Sequence, residues 1–457
     1  MIRNITSKHI AFVHGLRLLV LASVLVIAPA ASQSRHVPAT QAPAAADDPF
    51  ARVYVVTAQE THDQALFGLA DRTTAHVDAL GRRLVIADLH AHQLADFSRH
   101  VHEKEHRCGG YFAFDTRAEA ERFVRGQASV RAITGQFLPS YTIDNQAAVN
   151  RWIGHVREAN IRSTITHLST AYPNRYFASN HGRNAALWIR DHWRGLARGR
   201  SDVSVELFTA CSNCSTQPSV ILTIQGNELA DEIVVLSGHL DSISGSGSGD
   251  AMDAPGADDD ASGIATLTEV LGVAMRNRYR PKRTIKFMAY AAEEVGLRGS
   301  RAIAQSFASQ GGNVVGVLQM DMTNFRSPGS TTDVRVMTDN SNAALVQFLR
   351  DLFATYMAPA GYTLGNSACG YACSDHASWT ESGFPAAMYD EGPFFPLLHT
   401  PNDRLENMGG DAQHATIIAR LGLAFLGELG KNTATPRDRL MPPGGPPTVP
   451  GGPRRRP

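Results

Sequence analysis

Short apolar segments alternate with helical patterns along the second half of the chain. Residues 233–236, 285–289 and 314–320 are nearly continuous apolar runs, as is typical of strands buried on both faces of a parallel sheet. The long alternation predicts an α/β fold, with a doubly wound, mostly parallel sheet and helices on both faces. The predicted strands span 203–209, 219–224, 233–236, 284–290, 314–321, 334–338 and 385–389, and the predicted helices span 147–156, 184–196, 262–275, 299–307, 342–356 and 412–429.

A smaller α/β pattern precedes this region and occupies residues 48–137. Its size is typical of a small domain, and a break between 126 and 140 predicts a boundary with a second domain at 138–432. Residues 90–106 contain five histidines, which we interpret as solvated surface residues; a metal site is the alternative, since histidine-rich tracts can bind metal. The predicted strands are 53–57, 83–89 and 111–114, one predicted helix is 116–124, and the histidines are His90, His92, His100, His102 and His106.

The two ends of the chain carry no globular pattern. Basic residues precede an apolar run at 18–27 and an Ala-Pro-Ala site at 28–30, which predicts a secretory signal peptide over 1–30. The run is too short for a comfortable membrane span, and an uncleaved anchor is the alternative. Residues 31–47 and the Pro/Gly/Arg-rich tail at 433–457 are predicted to be disordered. We therefore expect a secreted protein, extracellular or periplasmic.

The net charge and the cysteine content narrow the range of partners and compartments that we expect for the protein. Of the 457 residues, 43 are Lys or Arg and 43 are Asp or Glu, so net charge gives no reason to expect nucleic acid or an anionic membrane as partner. The five cysteines fit export, with two local disulfides and one leftover thiol as the simple interpretation. A zinc site made of four thiolates is the alternative. The close pairs are Cys211 with Cys214 and Cys369 with Cys373, and Cys108 stands alone.

Polar residues with metal-ligand chemistry follow the predicted strands. Carboxylates and imidazoles suit Zn²⁺, and five such ligands are too many for one catalytic zinc, so a pair of metals bridged by one carboxylate is predicted. Of two adjacent glutamates, one can bind metal while the other accepts a proton from water. Asp241 lies two residues after a candidate ligand and is predicted to orient its imidazole. The candidate ligands are His239, Asp259, Glu294, Asp321 and His399, with Glu293 as the candidate base.

Each of these motifs has a simpler alternative when it is taken alone. Residues 258–260 could form a helix N-terminal cap cluster before Ser262. The pair Glu293–Glu294 could be part of a solvated face. Ser374-Asp375-His376 suggests a serine hydrolase, although no Gly-x-Ser-x-Gly motif accompanies it.

The ordered set of motifs closely resembles the secreted bacterial leucyl aminopeptidases of the M28 peptidase family, which include the Vibrio (Aeromonas) dizinc enzyme. The motifs are His239-Leu-Asp241, Pro255 to Gly263, Ala289 to Ser300, Gln319 to Asn324, Cys369 to Trp379 and His399-Thr400. The resemblance covers about residues 140–430. Residues 48–137 resemble the amino-terminal propeptide of that group.

The resemblance implies a zinc exopeptidase-like fold and a role for each matching residue. Asp259 matches the carboxylate that bridges two Zn²⁺ ions, and the peptide bond after it is expected to be cis. Glu294 and His399 match the other ligands of one zinc, and His239 and Asp321 those of the second. The remaining matches are Glu293 as general base on a shared hydroxide, Asp241 behind the histidine, a disulfide between Cys369 and Cys373, and Met322, Tyr371 and Cys373 in an apolar substrate pocket.

The expected protein is a monomeric zymogen of a dizinc aminopeptidase. Its partners are expected to be peptides or proteins with a free amino terminus, preferably Leu or another apolar residue, and its own propeptide. In two places the chain departs from the group's pattern: the segment before His399, with Phe394 and Phe395, is shorter, and the Cys211–Cys214 pair is an addition. The alternatives are a co-catalytic zinc amidase or carboxypeptidase, a glutaminyl cyclase, and a non-catalytic receptor-like domain on the same fold.

Overall fold

The computed structural model describes residues 48–78, 81–105, 109–133 and 140–432. All of these residues belong to one compact body, Ala44–Pro457. The predicted signal peptide, the predicted linker and the predicted tail lie outside the described residues, as do His106 and Cys108. In the part of the chain that is described, no helix has the length and apolar character needed to cross a membrane.

The N-terminal unit, residues 48–137, contains a four-stranded antiparallel sheet in the order β2-β3-β1-β4. All three predicted strands are confirmed, and the sequence pattern missed β2, an edge strand that is mostly exposed. The predicted break at 126 is wrong, because helix α3 continues to Ile133. The elements are β1 Arg52–Ala58, α1 Gln59–Thr61, β2 Arg72–Val77, β3 Arg83–His90, α2 Leu94–Glu105, β4 Tyr111–Phe114 and α3 Arg117–Ile133.

The C-terminal unit, residues 140–432, is built on an eight-stranded sheet in the order β11-β10-β12-β9-β7-β8-β6-β5. Strand β7 pairs in parallel with both β8 and β9, and β9 pairs in parallel with β12, so the centre of the sheet is parallel as predicted. Strand β6 and the β10–β12 pair are antiparallel. The strands are β5 Val203–Phe208, β6 Ser219–Ile224, β7 Leu229–His239, β8 Arg283–Tyr290, β9 Asn313–Met320, β10 Val334–Met337, β11 Leu364–Ser367 and β12 Ala386–Asp390.

Side chains alternate between the two faces along each buried strand, so both faces of this sheet are apolar. Helices cover both of them. On β7, Val234 and Leu236 pack with α7 and α11 on one face, while Val235 packs with α8 and α10 on the other. The predicted fold class is therefore confirmed. The helices are α4 Gln146–Ile153, α5 Glu158–Thr170, α6 Asn180–Leu196, α7 Ala261–Arg276, α8 Arg298–Ser309, α9 Ala343–Tyr356, α10 His376–Glu381 and α11 Ala415–Gly430.

Residues of the N-terminal and C-terminal units pack together in shared hydrophobic clusters. Phe97 and Val101 of α2 pack with Val295 from the loop after β8. Phe112 of β4 packs with Tyr371, at a ring-centroid distance of 6.0 Å. The N-terminal unit therefore lies on loops that follow the carboxyl ends of the central strands.

Candidate metal centre

The five predicted ligands come together at the carboxyl edge of the central strands. His239 is the last residue of β7, Asp259 precedes α7, Glu294 follows β8, and Asp321 follows β9. His399 lies in the loop after β12. All five are buried, with between 1% and 4% of their surface exposed. A solvated face is therefore the wrong interpretation of the Glu293–Glu294 pair.

The geometry divides these residues into two groups that share Asp259. In the first, His239 Nε2 lies 2.9 Å from Asp259 Oδ1 and 3.4 Å from Asp321 Oδ1. In the second, His399 Nε2 lies 3.2 Å from Asp259 Oδ2 and 2.9 Å from Glu294 Oε2. The two oxygens of Asp259 thus face different groups, as a bridging carboxylate requires.

The donor set and its electrostatics fit two bound cations. Burial and, next, the charge of Asp259 raise the pKa of Glu294 to about 7. Burial alone would lower the pKa of His399, but the charges of Glu294 and Asp259 raise it well above its ordinary value. Glu293 Oε1 and Glu294 Oε1 are buried without a hydrogen-bond partner among the described residues. Buried carboxylates packed this closely are stabilised by metal coordination.

A second layer of aspartates holds the backbone of the ligands. Asp241 accepts hydrogen bonds from the amides of Glu293 and Glu294 at 2.9 and 3.1 Å, and its Oδ1 lies 3.5 Å from His239 Nδ1. The predicted contact with the imidazole is thus accompanied by two backbone contacts that the sequence pattern did not predict. Asp260 accepts from the amides of His239 and Gly263, at 3.0 and 2.8 Å.

The helix-cap alternative for 258–260 holds for one residue. Asp260 caps α7 through the amide of Gly263, while Asp259 faces the histidines. The peptide bond between Asp259 and Asp260 is cis, as the resemblance implied. Capping and metal-ligand geometry therefore occur on neighbouring residues.

The serine hydrolase alternative is wrong. The hydroxyl of Ser374 donates to Asp321 Oδ2 at 2.7 Å, so it supports a predicted ligand. Both ring nitrogens of His376 are buried without a hydrogen-bond partner among the described residues, so His376 cannot activate Ser374.

The predicted pocket residues lie in two neighbouring clusters. Met322 and Cys373 pack with Met388, Phe395 and Leu398 in a buried apolar cluster beside Asp321. Tyr371 instead packs in the cluster that includes Phe112 of the N-terminal unit. Phe395, from the segment that departs from the group's pattern, thus lies in the same cluster as two predicted pocket residues, Met322 and Cys373.

Both predicted disulfides are present, with Cα–Cα distances of 5.4 Å for Cys211–Cys214 and 6.0 Å for Cys369–Cys373. The site made of four thiolates is therefore the wrong alternative.

In the described part of the N-terminal unit, His102 lies beside the candidate metal centre. The ring of His102 lies 5.4 Å from the ring of His399, centroid to centroid. The interpretation of His102 as a solvated surface residue is wrong, although His92 is exposed as expected. On α2, Ser98 and His102 lie one turn apart and share a face. The Ser98 hydroxyl donates to the carbonyl oxygen of Glu294 at 3.0 Å, so this face is directed at the candidate ligands.

Comparison with known proteins agrees with this geometry. The family model for Peptidase family M28 matches residues 219–422. Leucine aminopeptidase 1 of Arthroderma otae is 35% identical over 305 residues, which make up 64% of this chain and 79% of that protein. The chain belongs to the M28 peptidase family. This M28 protein is a metallo-aminopeptidase, a peptide hydrolase of a zinc-dependent family.

Two solved structures extend the likeness to the N-terminal unit. The aminopeptidase LapA of Legionella pneumophila gives a TM-score of 0.69 at 27% identity, covering 83% of this chain and 99% of its own. LapB of the same organism gives a TM-score of 0.66 at 27% identity, and the match covers 83% of this chain and 100% of LapB. Residues 140–432 alone cannot account for 83% of this M28 chain, so the match includes part of residues 48–137. The specific likeness to the Vibrio (Aeromonas) enzyme stays a prediction.

Proposed function

We propose that this M28 protein is the secreted zymogen of a dizinc aminopeptidase that removes Leu and other apolar residues from free amino termini. The observation that carries the proposal is the pair of buried ligand groups that share Asp259. His239 and Asp321 would complete one zinc site, and Glu294 and His399 would complete the other. Five ligands with a shared carboxylate suit a two-metal hydrolase.

Two zinc ions, when bound, would polarise the scissile carbonyl and make water a stronger nucleophile. Glu293 is the proposed general base, which would take the proton of the attacking water and pass it to the leaving amine. Its Oε2 lies 4.0 Å from His239 Nε2, beside the first ligand group. Its Oε1 has no hydrogen-bond partner among the described residues, so this oxygen is free to accept a proton.

The proposed substrate preference rests on the cluster that contains Met322, Cys373 and Phe395. Its buried members are Met, Cys, Phe and Leu, so an apolar side chain gains by leaving water there. The buried carboxylates next to it would attract the positive charge of a free amino terminus. An acylated terminus lacks that charge, so it should be a poor substrate.

The experiment compares leucyl anilide with its N-acetyl form on protein from which the N-terminal unit has been removed by proteolysis. We expect cleavage of the free amine only, loss of activity on chelation and recovery on zinc addition. Cleavage of the acetylated compound would favour the amidase. Ammonia release from amino-terminal Gln would favour the cyclase, and absence of all activity would favour the non-catalytic domain.

The N-terminal unit is the proposed inhibitory propeptide. It contacts the ligand loop directly, since the Tyr111 hydroxyl donates to the carbonyl oxygen of Glu294 at 2.9 Å and the amide of Ala113 to that of Gly296 at 3.2 Å. His102 lies against His399, and Glu293 is only 2% exposed. A peptide could not reach these buried groups while the unit is docked, so its removal should activate the enzyme.

A second set of contacts joins the N-terminal unit to the predicted pocket. The amide of Gly110 donates to the carbonyl oxygen of Ala372 at 2.9 Å. Arg82 donates to Glu381 Oε1 at 3.0 Å, and its guanidinium lies 5.4 Å from the centre of the Tyr371 ring. The pair is mostly buried, with 25% of the Arg82 side chain and 4% of the Glu381 side chain exposed.

Breaking the Arg82–Glu381 pair should loosen the docked unit. We expect Glu381→Gln to raise the activity of the unprocessed chain on leucyl anilide about tenfold, because a charged hydrogen bond at this burial contributes about 1.5 kcal/mol or more. This variant leaves the bond from Arg82 to Asp78, within the N-terminal unit, intact. Initial rates are measured while gel electrophoresis shows the chain uncleaved.

The matched control is Arg83→Ala, on the exposed side of β3 next to Arg82. It should leave the activity of the unprocessed chain unchanged. After the N-terminal unit is removed, Glu381→Gln and the wild type should be equally active. A Glu381→Gln chain as inactive as the unprocessed wild type would contradict the proposed latch.

A further inference from the structure

Arg175 is fully buried in the segment before α6, and all its side-chain hydrogen bonds go to backbone carbonyl oxygens. Among the described residues it forms no ion pair within 4 Å. A buried guanidinium is costly unless its donors are satisfied, and here five contacts satisfy them. The acceptors are the carbonyl oxygens of Leu240 at 2.9 Å, Pro255 at 2.6 Å, Gly256 at 2.9 Å, Leu168 at 3.4 Å and Asp259 at 3.5 Å.

Four of these five acceptors belong to the two loops that carry His239 and Asp259, and the fifth, Leu168, lies in α5. Leu240 directly follows His239, while Gly256 and Asp259 lie in the loop that presents the shared carboxylate. The loop is tight around Arg175: a Cβ on Gly256, whose φ is +51°, would lie 2.3 Å from the carbonyl oxygen of Asp259 and 2.9 Å from Arg175 Nη2. One planar guanidinium therefore fixes both loops relative to each other, which a single ammonium could not do.

Asp403 accepts hydrogen bonds from the backbone amides of the same loop. Its two carboxylate oxygens accept from the amides of Asp258 at 2.8 Å and Asp259 at 3.1 Å, and its carbonyl oxygen accepts from the amide of Ala257 at 3.0 Å. It lies four residues after His399, so it also connects this loop to the segment of another candidate ligand. The backbone of Asp259 is thus held at its carbonyl oxygen by the buried guanidinium of Arg175 and at its amide by the buried carboxyl group of Asp403.

We propose that Arg175 and Asp403 are positioning residues that hold the backbone of Asp259, so that its carboxylate lies between the two ligand groups. This inference rests on the proposed dizinc function and adds two residues that contact neither substrate nor metal. Loss of either residue should weaken metal binding, because residues that orient ligands typically contribute 10–100-fold to metal affinity or activity.

The test uses the full chain and two variants, Arg175→Lys and Asp403→Asn. Zinc affinity is measured by competition with a chromogenic chelator, and the visible absorption spectrum is recorded after Co²⁺ substitution. We expect each variant to bind zinc about 10–100-fold more weakly and to show a changed Co²⁺ spectrum. After removal of the N-terminal unit, kcat on leucyl anilide should fall while KM changes less than about twofold, since the apolar pocket is untouched.

Two controls separate positioning from general stability. Arg183→Lys changes an exposed arginine of α6 and should leave zinc affinity and spectrum unchanged. Val149→Ala removes core packing between α4 and α11, so it should lower the melting temperature with unchanged zinc affinity.

Wild-type zinc affinity and an unchanged Co²⁺ spectrum in both variants would overturn the positioning role, as would an affinity loss in Val149→Ala equal to theirs. A wild-type chain that takes up fewer than two zinc ions would contradict the dizinc function itself. That result comes from the wild type alone, so the two failures are distinguishable.

Discussion

Glu293→Gln should lower kcat on leucyl anilide by about a thousandfold while the protein still binds two zinc ions. Glutamine has nearly the same shape, and the backbone amide of residue 293 would still donate to Asp241. The side-chain amide of glutamine cannot accept the proton of the attacking water, and general-base catalysis contributes about 10²–10⁴ in rate. The measurement pairs steady-state kinetics with zinc content per chain, both on protein freed of the N-terminal unit.

The matched control is Glu294→Gln, one residue further along the same loop. Its carboxylate belongs to the His399 group, so this change should lower the zinc content as well as the rate. If Glu293→Gln also lost zinc, Glu293 would be a ligand rather than the base. If it kept most of its activity, another group would have to accept the proton.

The sheet and its two helical layers could be predicted because buried strands leave a strong local signal. Val234 and Val235 face opposite layers, and both must be apolar since helices cover both faces. Strand β2 gives no such signal: it is an exposed edge strand with Thr and His among its six residues. The short β11 and α10 were missed for a related reason, since four or six residues are too few for a period to emerge.

The ligands of the candidate centre could be predicted because they follow strands, and the carboxyl ends of parallel strands meet at one edge. The residues that support them could not. Asp403 lies in Thr400-Pro401-Asn402-Asp403, which by composition is an ordinary turn, and its contact with Asp259 spans 144 positions. From the sequence alone Arg175 would be predicted to lie at the surface, because most arginines are exposed. Only the folded loops around it show that it is buried. Such contacts are tertiary, and a local pattern does not contain them.

Asp259→Ala should abolish binding of both zinc ions, whereas Asp321→Ala and Glu294→Ala should each leave one. The reason is geometric, because Asp259 presents Oδ1 to the His239 group and Oδ2 to the His399 group, while Asp321 and Glu294 each belong to one group. Zinc per chain is measured by atomic absorption after dialysis. Leucyl anilide cleavage should fall to background in Asp259→Ala.

Thermal unfolding gives a readout that does not depend on catalysis. A metal that binds only the folded state raises the melting temperature by mass action, so added zinc should stabilise the wild type most and Asp259→Ala least. Asp321→Ala and Glu294→Ala should fall between them, because each retains one complete ligand group. Equal zinc content in all three variants would mean that Asp259 is not shared, and two separate single-metal sites would then replace the bridged pair.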